Sequence, residues 1–173
     1  MLLTPLFVQG QCEIFKSEIS EVAEEMQAVH RLADSLKTFA ESAAYSGQYR
    51  QAREDARKAM LLTGQALAAA YDAASVASEA QYQSGICGID AVKSAAIDAE
   101  DFSTSSRDLM EAAYDLAKKA YGARKLGDIQ YYMRQSITAS REAEKLAESA
   151  AYAALDAFRS CTHNDVSLAG QKK

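Results

Sequence analysis

Tryptophan is absent, proline occurs once (Pro5), and glycine supplies only eight of 173 residues. Tight connections between strands draw on glycine and proline for backbone angles that other residues resist. Their scarcity excludes a β-rich fold with many turns. Few turns mean few, long elements. No apolar run approaches the roughly 20 residues of a membrane-spanning helix. The two histidines, His30 and His163, stand at no spacing that a zinc protease or a nucleophile–base pair needs. No phosphate-cradling glycine loop and no G-x-S-x-G elbow occurs either. The sequence therefore predicts no enzyme.

Cysteine is also scarce. Cys12, Cys87 and Cys161 are an odd number without a C-x-x-C spacing, which fits a reducing compartment. Met1 to Val8 is apolar but has neither a basic leader nor a small-residue cleavage site. The expected location is the cytoplasm or an organelle stroma. In an up-down-up-down bundle the three cysteines fall at one end beside His163, and three thiolates with an imidazole would complete a tetrahedral zinc site. Cys12 and Cys87 also continue helical seams, where cysteine packs as a small buried hydrophobe. Buried free thiols are favoured over a disulfide and over a metal site, so no metal or cofactor is assigned. Cys161, past the end of the last seam, is expected to react first.

What is present is alanine in abundance, 49% hydrophobic and 25% charged residues, and a net charge of −5. The acidic balance argues against nucleic acid as a partner. Periodicity carries the fold. Phe15, Ile19, Val22, Met26, Val29, Ala33, Leu36, Ala40 and Ala43 alternate steps of four and three, a heptad seam. A second seam runs Tyr49, Ala52, Ala56, Ala59, Thr63, Ala66, Ala70, Ala73, Ala77, Ala80 after a break at Gly47. A third reads Val92, Ala95, Ala99, Phe102, Ser106, Leu109, Ala113, Leu116, Ala120, Ala123, with Asp90 as its cap. The fourth is Ile129, Tyr132, Ser136, Ala139, Ala143, Leu146, Ala150, Ala153, Ala157. Gly127 and Asp128 serve between them as C′ glycine and N-cap.

Seams one and three align at an offset of about 80 residues, Gly47 on Gly127 and Leu36 on Leu116. The expected fold is all-α: an up-down-up-down four-helix bundle of long helices, built as a duplicated αα-hairpin. Residues 1–12 form an extension or first helical turns, 13–160 the bundle (hairpins at about 13–84 and 90–160), and 161–173 a flexible tail. No Asp, Glu or His falls in any seam, which argues against a di-iron core. Thr63, Ser106 and Ser136 are expected to bond back to carbonyls of their own helices.

The stretch Ala43 to Ala52 reads Ala-x-x-x-Gly-Gln-Tyr-x-x-Ala and is similar to the turn of a tetratricopeptide repeat, a likeness confined to the turn because these helices are far longer. Asp128 to Arg134 resembles the D-I-x-Y-Y-L-R stretch of phycobiliprotein α chains. There Lys125 takes the place of the bilin-carrying cysteine and Gly127 that of the arginine before the stretch. In composition alone the alanine-rich helices are similar to talin rod bundles.

Function is read from one end. Tyr45, Tyr49, Tyr121, Tyr131 and Tyr132, five of nine tyrosines, flank the hairpin turns. Residues 37–58 and 118–134, with Asp115, carry ten Lys or Arg against five acids, a net +5 that leaves −10 on the remainder. Tyrosine and arginine are enriched where proteins meet. Tyr45, Tyr49, Arg50, Arg53, Tyr121, Arg124, Lys125, Tyr131, Tyr132 and Arg134 are the candidate partner-binding residues. Tyr49 and Tyr132 have a second reading, as plugs over the end of the core. The expected function is a non-enzymatic scaffold or interaction element of a larger assembly, binding an acidic protein surface or a second copy. The alternative is a carrier of a small molecule, pigment or metal.

Overall fold

Four helices account for nearly all the described residues in the computed structural model: α1 (Pro5–Tyr45), α2 (Tyr49–Cys87), α3 (Asp90–Gly122) and α4 (Leu126–Gly170). The backbone of residues 5–87 and 89–170 is described, and the side chains of 13–85 and 89–162. At 1.5 Å per residue these are rods of roughly 50–70 Å. Connections at 46–48 and 123–125 leave no room for a crossover, so sequential helices run antiparallel. Helices adjacent in sequence pack on each other, α4 closes the ring against α1, and the diagonal pairs barely touch. This is the up-down-up-down bundle.

Burial follows the first two seams closely. Every first-seam residue from Phe15 to Ala43 is buried, as is every second-seam residue from Ala52 to Ala80. Bulk is divided unequally between them. α1 contributes Phe15, Ile19, Val22, Met26, Val29 and Leu36, while α2 opposes them with alanines. Large side chains of one helix thus lie against a nearly smooth partner, which lets the axes approach closely.

The third and fourth seams are displaced. Val92, Ala95, Ala99, Ser106, Ala113 and Ala120 are buried as expected, but Ala96, Ser103, Met110 and Ala117 are buried with them. Phe102, Leu109 and Leu116 lie one residue off, on the flank. In α4, Met133, Ser140, Ala147 and Ala154 are buried alongside the expected Ala139, whereas Tyr132, Leu146 and Ala153 are only partly buried. An amphipathic stripe is wider than two positions per heptad, so apolar residues on its edge compete with those at its centre. At Ser103, Ala117 and Ala147 the small residue goes inside and its large neighbour covers the margin, while Met110 and Met133 are the bulky residues that these helices do bury.

The duplication shows in the same pattern. α1 ends at Tyr45 and α3 at Gly122, while α2 begins at Tyr49 and α4 at Leu126, each pair 77 residues apart. The buried positions repeat at that spacing, Phe15 with Val92 and Ala52 with Ile129. The structural offset of the repeat is therefore 77, and Gly127 sits in the first turn of α4 rather than past the end of α3. Ala123 caps α3 in an extended conformation (φ −69°, ψ 144°). Asp90 is the first residue of α3, and the N-cap is Ile89 without a side-chain bond.

Two further expectations change. Thr63 does return to its own helix, its hydroxyl donating to the Ala59 carbonyl at 2.7 Å. Ser106 and Ser136 instead donate across to the neighbouring helix, to Ala143 O and Ala113 O, both at 2.8 Å. Alanine at the contact brings a second helix's carbonyl, with its spare lone pair, within reach. At the chain's end α4 continues past Ser160 to Gly170. Cys161 is fully buried against the core, so it is not the accessible thiol. The side chains of Cys12, Cys87 and His163 lie outside the described residues.

Candidate functional site

The turns at 46–48 and 123–125 meet at one end of the bundle, and side chains stitch them together. Gln130 Nε2 donates to the Ser46 carbonyl at 2.9 Å. Tyr49 Oη donates to Ala123 O at 3.1 Å, and Arg53 Nε to Tyr121 O at 3.3 Å. Within the first turn, Ser46 Oγ accepts from the Gln48 N–H at 3.1 Å. Each hairpin's second helix thereby anchors the carbonyl end of the other hairpin's first helix. The two hairpins are thus cross-tied at this end by side chains as well as by packing.

The expected tyrosines and arginines separate into three groups. Tyr49, Arg50, Arg53 and Tyr121 come together with Glu54 and Arg57 around a cleft of about 390 Å³ between α2 and α3. The Arg53 guanidinium lies over the Tyr121 ring, 5.3 Å from its centroid. Tyr131 and Arg134 line a second cleft of about 500 Å³ on the α3–α4 side, with Leu116, Gln135, Thr138, Ala139 and Glu142. Tyr131 meets Tyr132 edge-on at 5.4 Å. Tyr45, Arg124 and Lys125 are exposed and line neither cleft. Tyr49 and Tyr132 are half-buried against the adjoining core cluster, so both also plug the end of the bundle.

Charge at this end is only partly compensated. Glu54 takes Arg57 in a two-bond pair at 2.7 and 3.1 Å. The hydrogen bond from Arg57 holds the Glu54 carboxyl below its usual range. Asp55 is buried, accepting from Ser42 at 2.6 Å and Gln51 at 2.8 Å, with Lys58 3.9 Å away. Among the described residues no carboxylate pairs with Arg50, Arg53, Arg124, Lys125 or Arg134. Arg50 lies in the first turn of α2, which holds no acidic residue. The helix dipole disfavours a cation there.

No family model matches this chain, and neither does any curated protein or solved structure. The short likenesses to tetratricopeptide turns and phycobiliproteins therefore carry no family assignment, and function rests on the site.

Sequence reasoning missed Glu54 and Arg57, although their signal was present. Arg50, Arg53 and Arg57 stand at i, i+3 and i+7, one face of a helix. Leu116 was missed as a cleft wall because it was assigned to the core. The other half of the molecule has its own electrostatics: burial, then Glu79 and Glu21, push the Glu18 carboxyl above its ordinary value. Among the described residues no group of three or more His, Cys, Asp or Glu is arranged to hold a metal, and no helix is long and apolar enough to cross a membrane.

Proposed function

We propose that this protein is a non-enzymatic helical-bundle scaffold that docks an acidic protein partner at its basic, tyrosine-rich end. One observation carries the reading. A rod with net charge −5 gathers a cross-tied end on which Arg50, Arg53, Arg124, Lys125 and Arg134 stand without carboxylate partners. Unpaired arginines on a rigid support attract an acidic surface over a Debye length and then pair with it at contact. A long bundle holds such a contact at a fixed distance from its other end. The described core is filled by alanine, the larger side chains of α1, and Val92, Met110, Ile129 and Met133 of α3 and α4, and both clefts open to solvent. Those features favour docking over carriage of an enclosed ligand.

The test is capture of the partner from the source cell by tagged protein. Changing Arg50, Arg53, Arg124 and Arg134 together to Gln removes the partner while circular dichroism stays unchanged. A partner retained by that variant, at unchanged salt sensitivity, refutes the reading.

A further inference from the structure

The α2–α3 cleft is more specific than its charge. Arg50, Arg53 and Arg57 line it along one helical face, at rises of about 4.5 and 6 Å between successive residues. Glu54 is the only acid lining it, and it is spent on Arg57. Three arginines against one glutamate leave the cleft at about +2, and that charge resides on Arg50 and Arg53.

Arg53 is held before any ligand arrives. Its Nε–H is bonded to the Tyr121 carbonyl and its plane lies over the Tyr121 ring. The two Nη groups have no partner among the described residues. A guanidinium fixed in this way loses little rotamer freedom on pairing with an oxyanion. In the internal repeat a neutral side chain stands in the place of Arg53. At the position 77 residues on, Gln130 also ties across to the other hairpin but with a neutral amide, to the Ser46 carbonyl, whose own counterpart is Ala123, the acceptor of Tyr49. The counterpart of Arg50 is Gly127, and only Arg57 has a basic counterpart, Arg134. The end of the bundle is thus secured without arginine in one hairpin, and the surplus charge in the other is left unexplained by folding.

We propose that this cleft receives a phosphate monoester, carried on a phosphorylated serine or threonine in a segment of the docking partner. A carboxylate side chain brings one negative charge, whereas a phosphate monoester brings about −1.5 to −2 and three acceptor oxygens. The second matches a +2 cleft with two unpaired arginines. Arg–phosphate pairing is also bidentate, suiting the fixed Nη edge of Arg53 with Arg50 one turn away. The volume of about 390 Å³ accommodates a phosphorylated side chain between Tyr49 and Tyr121. This assignment rests on the docking reading and narrows it.

Fluorescence anisotropy with a labelled peptide containing one phosphoserine tests it, against the unphosphorylated peptide, its glutamate form and inorganic phosphate. Saturable binding is expected for the phosphopeptide alone, weakened about tenfold in Arg53→Gln and further in the Arg50→Gln/Arg53→Gln pair. Arg53→Lys keeps the charge without the planar fork and falls between. Arg124→Gln/Arg134→Gln, outside the cleft, leaves binding within about threefold. Equal affinity for the glutamate peptide or for inorganic phosphate overturns the assignment, as does an equal loss in the Arg124/Arg134 pair. A partner captured equally well after phosphatase treatment sinks the phosphate while leaving docking intact. Retention of the partner by the four-arginine variant sinks docking instead.

Discussion

Leu36 and Leu116 coincide when the two hairpins are aligned on their glycines, yet the structure gives them opposite environments. Leu36 is fully buried in the cluster beneath the basic end, among Ala40, Ala56, Ile129 and Met133. Leu116 is partly exposed and forms one wall of the α3–α4 cleft, with Ala117 in the core beside it. Truncation to alanine measures the difference. At Leu36 the transfer cost is about 0.8 kcal/mol per buried methylene. A cavity term adds to it, because the surrounding alanines carry only a fixed methyl and cannot swing into the void. The expected loss is about 3–4 kcal/mol, within the usual range for buried leucine. At Leu116 solvent already reaches the side chain and no closed cavity forms, so the loss is under about 1.5 kcal/mol. For a chain of this size each kcal/mol lowers Tm by about 2–4 °C. The variants should therefore differ by roughly 4–10 °C in Tm. Urea denaturation followed by helical ellipticity gives the free energies, provided the slope is unchanged. Equal losses at the two sites, or a larger one at Leu116, would mean that the core phase of α3 is wrong. The same logic makes Leu36→Asp unfold the bundle by burying an unpaired charge, whereas Leu116→Asp leaves it folded.

Neighbouring serines of α3 should respond with opposite signs. Ser106→Ala forfeits the buried bond to Ala143 O and costs about 0.5–1.5 kcal/mol, whereas Ser103→Ala removes a buried hydroxyl that has no partner among the described residues and gains stability. Denaturation midpoints check both, and a loss at Ser103 would mean that its hydroxyl is satisfied. Glu18 supplies a pH test. Its raised pKa in the folded state means that stability rises as pH falls from neutral through that pKa toward the unfolded value of 4.5. Glu18→Gln should therefore stabilise the protein at pH 7 and flatten this part of the profile, and an unchanged profile would contradict it. Cys161, in a chain with Cys12→Ser and Cys87→Ser, should resist alkylation until denaturant is added, because it is fully buried. Prompt labelling in buffer would show that the end of α4 does not pack as described.

The sequence alone determined the helices and their order. A step of four and three, repeated without interruption from Phe15 to Ala43, is a local property of a chain winding at 3.6 residues per turn. In α1 it was unambiguous because large apolar residues occupy the seam and polar ones flank it. The turn at Gly47, and the tyrosines and arginines gathered at that end, were legible for the same local reason, whereas the second turn lies at 123–125, ahead of the Gly127 where it was expected. Tertiary packing alone decided the phase of α3 and α4. There Leu109 and Met110, Leu116 and Ala117, or Tyr132 and Met133 are adjacent apolar pairs about 100° apart on the helix, and either member could face inward. Hydrophobicity favours the larger residue, but close approach between alanine-rich helices admits the one that fits and turns the other to the margin. Packing also decided which arginines are spent. Arg57 and Glu54 pair within one helix and are visible as i, i+3 neighbours, whereas Arg53 finds its carbonyl and ring 68 residues away, on α3. No local pattern encodes that meeting, because it exists only once two hairpins have closed on each other.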